Sequence, residues 1–131
     1  MAWFTSNQRR AEELLVPEVH FLGEQDGIPE GELKDSFAQL FRESSSIKKA
    51  YLARVAYRDQ TNVNVALCLL CTASFDKKLY SKIIKIFSSM FGPDEHLDII
   101  FLKDSQESEL TKVCLPFFIS SKETASYEHT K

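Results

Sequence analysis

Eight consecutive residues, Asn64-Val65-Ala66-Leu67-Cys68-Leu69-Leu70-Cys71, form the most apolar run in the chain, and the polar stretch Thr72-Ala73-Ser74 closes it. A run this short, with branched and thiol side chains at both alternating positions, suits a strand buried on both faces. It predicts a central strand that the other elements pair with, cover or hang from. At 131 residues there is room for one domain with a real core and too little for two of ordinary size.

Around that strand the periodicities alternate. Val19-His20-Phe21-Leu22 reads as a strand stopped by Gly23, with Gly27 and Pro29 in the turn that follows. From Pro29, the residues Leu33, Phe37, Leu40 and Phe41 recur at helical spacing, with Glu30 and Glu32 where the helix dipole favours carboxylates. Ala50–Tyr57 reads as a second strand, Tyr51, Val55 and Tyr57 on one face and Leu52 and Arg54 on the other. The polar stretch Arg58–Asn62 makes it a hairpin with the central strand. Leu79, Ile83, Ile86, Phe87 and Met90 form one stripe of a second helix, with Asp76 as cap, Phe75 and Tyr80 as staple and Gly92-Pro93 as stop. Leu97–Leu102 is a fourth strand. Asp104 with Glu107 reads as a capping box for a last short helix, Ser105–Cys114, and Phe117-Phe118-Ile119 calls for burial.

The order strand, helix, strand, strand, helix, strand is the split βαβ pattern. It predicts an α+β, ferredoxin-like βαββαβ domain with an antiparallel-rich four-stranded sheet in the order 4-1-3-2, plus short N- and C-terminal helices. The N-terminal helix would span Asn7–Leu15. The domain would run over residues 1–119, with its core in 16–118 and a disordered polar tail at 120–131. Both main helices would cover one sheet face, and the other, also apolar, needs the termini or another chain to cover it.

The formal charge of -3 gives no general attraction to phosphate backbones or anionic lipid, and the Lys77, Lys78, Lys82 and Lys85 group reads as the solvated flank of a helix. Neither a nucleic-acid nor a membrane partner is expected. No leader-like or membrane-spanning apolar segment is present, and three cysteines in apolar surroundings suit buried free thiols, so a cytoplasmic setting is expected. Cys68 and Cys71 have CxxC spacing, but three steps along a strand put the thiols on opposite faces, where they share neither a disulfide nor a zinc ion.

Few residues offer chemistry. His20 and Asp98 would lie on neighbouring strands in the 4-1-3-2 order, the only acid/base pair the sheet supplies. No nucleophile or oxyanion donor converges on them, which favours a structural role. Arg54 interrupts an apolar strand and is a candidate anchor for a carboxylate on a ligand or partner. The loop Gly23–Gly27, with Glu24 and Asp26, has two glycines but carboxylates where a phosphate site wants donors. The candidate binding residues are therefore Arg54, His20, Asp98, Gly23 and Asp26, with no catalytic set, metal or cofactor.

Certain phrases are more specific than these patterns. Pro17–Gly23, Ala50–Val55, Met90-Phe91-Gly92 leading into His96–Leu102, and Pro116-Phe117-Phe118 together resemble the C-terminal domain of the bacterial SseB (enhanced serine sensitivity) family. The resemblance implies a bacterial cytoplasmic protein and a small interaction or sensing domain, with a phenotype linked to serine and no established reaction. Longer members carry a further N-terminal domain.

The expectation is thus a non-enzymatic protein-interaction domain, self-associating as a homodimer or binding a partner protein. An immunity protein that neutralises a toxin is the sharper variant. An amino-acid-sensing regulatory domain, with Arg54 and the Gly23–Gly27 loop taking the ligand, is the less favoured alternative.

Overall fold

The computed structural model describes residues 19–57, 63–72, 77–92 and 94–121. Five strands and three helices follow in chain order: β1 (Val19–Glu24), α1 (Ile28–Arg42), β2 (Ile47–Tyr57), β3 (Asn64–Cys71), α2 (Lys77–Phe91), β4 (Asp98–Phe101), α3 (Asp104–Leu110) and β5 (Phe118–Ile119). The expected N-terminal helix, the Arg58–Asn62 turn, the Phe75 and Asp76 start signals and the tail from Lys122 lie outside the described residues.

The domain is α+β, but its sheet is mixed and its strands run in the order β1-β2-β3-β4, not 4-1-3-2. β1 pairs antiparallel with β2, β2 antiparallel with β3, and β3 parallel with β4 across α2. β2 is longer than its apolar pattern suggested, because Ile47–Lys49 continue the ladder to Cys71. That length lets one edge of β2 hold two strands end to end: β1 opposite Ala53–Tyr57, and β5 opposite Lys49 and Ala50. β3 keeps the bounds read from its apolar run and its inner position, but β2 is the strand with most partners.

Two cores follow from strand alternation. On one face Leu33, Phe37 and Phe41 of α1 and Leu79, Ile83 and Phe87 of α2 pack on Leu52, Leu67, Leu69 and Ile99, all buried. Phe118 meets Phe41 edge-on at 5.7 Å and Phe37 stacks near Phe41 at 5.8 Å, so β5 closes this core with aromatic contacts. On the other face Tyr51, Ala53, Val55, Ala66 and Cys68 are buried with Leu102, Leu110 and Cys114. The C-terminal segment therefore covers the second face over its upper part.

α3 is held there by more than Leu110. Glu107 accepts hydrogen bonds from the buried Tyr51 hydroxyl (2.7 Å) and from Lys49 Nζ (3.2 Å). The helix begins one residue earlier than its sequence signal: Gln106 Oε1 accepts the Lys103 N–H at 2.9 Å, in place of an Asp104–Glu107 box, and the helix ends at Leu110. Cys114 lies in the turn beyond it, its thiol directed to Leu52 O at 3.6 Å.

Candidate functional site

At the lower end of the sheet face that carries the helices, Arg54 of β2 and His20 of β1 stay exposed, while Val65 of β3 still packs against the core. α1 starts opposite the middle of β2, where the Gln25 N–H bonds Leu52 O at 3.0 Å, and runs toward Ile47. Below that level β2 presents Arg54 and Ala56, with Val65 beside Arg54 on β3 and His20 beside Ala56 on β1.

A β-bulge between Phe21 and Gly23 resets the register so that Gly23 faces Arg54. A Cβ on Gly23 would stand 2.6 Å from Arg54 Nη2, so the guanidinium occupies the space that any larger residue would need. Arg54 forms no ion pair among the described residues. Leu22, next to Gly23 in the chain, is 44% exposed, and Val63, two residues before Val65, is 55% exposed. A guanidinium is a planar fork able to donate two parallel hydrogen bonds to a carboxylate.

The two carboxylates of the acidic loop beside it share one lysine. Lys34, its side chain only 12% exposed, reaches Glu24 at 2.8 Å and Asp26 at 3.4 Å. Burial by itself lowers the Lys34 pKa, but the hydrogen bond and charge of Glu24, with Asp26, outweigh it and raise the ammonium above its usual value. Asp26 also accepts the Gly27 N–H at 3.2 Å, and Gly27, at φ 146°, turns the chain into α1.

At the far edge, Asp98 is the one buried charged residue among those described. Tyr57 OH donates to Oδ2 and His96 Nε2 contacts Oδ1, both at 2.6 Å. The small Ala66 stands opposite Asp98, leaving the Tyr57 ring a path across β3. A carboxylate held on both oxygens meets the demand that burial makes on it and ties the end of β2 to the start of β4.

A family model described as the SseB protein C-terminal domain matches residues 22–119. The chain belongs to this family. No curated protein and no solved structure matches. The SseB C-terminal match spans Leu22 to the end of β5, so Gly23, Arg54 and Asp98 fall inside it and His20 lies just outside.

In this SseB-family domain two residues singled out from sequence meet, Arg54 and Gly23, and His20 stands on the same strand as Gly23, opposite Ala56. Asp98 does not join them. β1 and β4 are opposite edges with β2 and β3 between, so the expected His20–Asp98 pair does not form. Asp98 has His96 and Tyr57 instead, neither of which the sequence reading chose. The signal available was His96-x-Asp98 at the start of a strand, which puts both side chains on one side.

The thiols behave as strand alternation requires. Cys68 packs into the core beneath α3 and Cys71 against the core beneath α1 and α2, on opposite faces. Burial pushes all three cysteines up, Cys114 to about 11, which keeps them protonated and weakly nucleophilic. Among the described residues no group of three or more His, Cys, Asp or Glu could hold a metal ion, and no helix is long and apolar enough to cross a membrane.

Proposed function

We propose that this SseB C-terminal domain is a non-enzymatic protein-interaction module of the bacterial cytoplasm, and that it makes contact through the Arg54 corner. One observation carries the reading: an exposed arginine whose guanidinium lies against Gly23, without an ion pair among the described residues, with exposed Leu22 adjoining Gly23 in the chain. Arginine beside apolar groups is the composition that interface centres favour, because the cation gains most where the rim excludes water. The apolar face that first suggested a dimer is covered over its upper part by Leu102, Leu110 and Cys114, which supports a contact on the helix side of the sheet.

The favoured occupant is a second copy. The exposed acidic residues Glu32 and Asp35 of α1 offer carboxylates to the Arg54 of a twofold-related copy, and such an isologous contact closes on itself. Sedimentation equilibrium from micromolar to millimolar protein tests it. A concentration-dependent dimer is expected, with Arg54→Glu weakening it by about tenfold or more, since a carboxylate contact is replaced by like-charge repulsion. A wild-type monomer throughout removes self-association. A dimer indifferent to Arg54→Glu moves the interface elsewhere.

A further inference from the structure

At the other end of the helix layer a groove of about 310 Å³ opens between the loop after α1 and the first turns of α2. Its lining comprises Glu43, the three serines Ser44–Ser46, and Lys78 and Lys82, with Leu40 and Leu79 beneath them. α2 carries four lysines, Lys77, Lys78, Lys82 and Lys85, and no Asp or Glu, and none of the four makes an ion pair among the described residues. Lys78 and Lys82 are one turn apart, so their ammonium groups neighbour each other and repel.

The serine loop is held in place by Thr72 and by its own turn. The Thr72 hydroxyl donates to Ser45 O at 2.9 Å, and the Thr72 N–H donates to Ser46 O at 2.8 Å. The Ser46 N–H is bonded to Ser44 Oγ at 3.1 Å, which tightens the turn. Two carbonyls of the loop, those of Ser45 and Ser46, are thus occupied by Thr72.

We propose that this groove binds a small phosphate monoester, its phosphoryl group between Lys78 and Lys82 with serine hydroxyls donating to it. Two point charges one helical turn apart suit a dianion, which relieves their mutual repulsion. The volume lies at the lower limit of ligand pockets and fits a phosphoryl group with a few carbons. Glu43, on the same wall, selects against a bare polyanion and accepts a hydroxyl from the carbon end. The site is independent of the Arg54 corner, so either reading can fail alone.

Amide NMR titration of the full chain with glycerol phosphate and with inorganic phosphate, each against sodium chloride at equal ionic strength, tests the proposal. Saturable shifts confined to Ser44–Ser46 and Lys78–Lys82 are expected, with glycerol phosphate the tighter ligand. Lys78→Gln with Lys82→Gln should weaken it by about tenfold or more, the loss of charge-assisted hydrogen bonds. Lys77→Gln with Lys85→Gln, removing equal charge outside the groove, should leave it nearly unchanged. All four side chains are exposed, so both variants should fold. Shifts spread along all four lysines, equal weakening in both variants, or a response matched by chloride would overturn the site. Inorganic phosphate binding as tightly as the ester would overturn the ester assignment.

Discussion

The guanidinium of Arg54 stands where a side chain on Gly23 would have to go, its Nη2 only 2.6 Å from the place of the missing Cβ. Glycine at this point of β1 is therefore a condition for the position of the arginine. The three nearest atoms to that point all belong to the Arg54 guanidinium, so what an added methyl displaces is the end of a flexible side chain.

Gly23→Ala should accordingly leave stability within about 0.5 kcal/mol, the range of substitutions that strain nothing fixed. It should weaken dimerisation nearly as much as Arg54→Ala does. Urea unfolding and sedimentation on the same sample check both halves. A large stability loss would show that the guanidinium cannot move aside.

Tyr57→Phe removes one of the two side-chain hydrogen bonds given to the buried Asp98 and should cost about 1 to 3 kcal/mol, since the carboxylate oxygen is left without its donor. Asp98→Ala, which removes the acceptor itself, should cost at least as much. The double variant should lose less than the two single losses together, because both break the same contact. Denaturant midpoints for the two single variants and the double variant measure that coupling; full additivity would mean the bond contributes nothing.

Glu107→Ala strips the acceptor from the buried Tyr51 hydroxyl and the partner from Lys49, at a cost of about 1 to 3 kcal/mol. Because Glu107 fastens α3, the change should also raise the alkylation rate of Cys114, which the turn after α3 keeps buried. Mass-resolved iodoacetamide labelling of the native protein reads this out. In the unsubstituted chain half-buried Cys71 should react first, with Cys68 and Cys114 protected.

The alkaline limb of stability should show the same thiol. Cys114 is raised from its ordinary 9.0 to about 11 by burial, so the native state holds a proton that the unfolded chain releases. That contribution is complete below pH 9 and is lost as pH rises through about 11. Lys34, also raised, adds stability that is complete below its ordinary 10.5 and declines above it. Urea titrations under reducing conditions should therefore give a falling free energy above pH 9, shallower in Cys114→Ala after allowance for its lower starting stability.

L-Serine at millimolar concentration should not raise Tm, since Arg54 lies exposed and the Glu24 and Asp26 carboxylates are already held by Lys34. A reproducible rise that Arg54→Ala abolishes would favour the amino-acid-sensing reading.

Local pattern alone determined a good deal of this protein. Continuous apolar character marked β3 to its end residues, the recurrences through Phe37 and Ile83 marked α1 and α2, and the alternation along β2 put Arg54 and Leu52 on one face against Tyr51 and Val55. It also placed Cys68 and Cys71 back to back. These are properties of single elements, and a period of two or of 3.6 reports which side of an element is apolar. Strand order is another matter, because backbone donors and acceptors are the same in every strand, and only the packed whole selects among pairings. The tertiary structure therefore decided that β1 borders β2, that β5 shares that edge, and that α3 covers the upper part of the second face. It also decided which residue meets Asp98, since Tyr57 lies 41 positions away in the chain and reaches the carboxylate only because β2, β3 and β4 are adjacent.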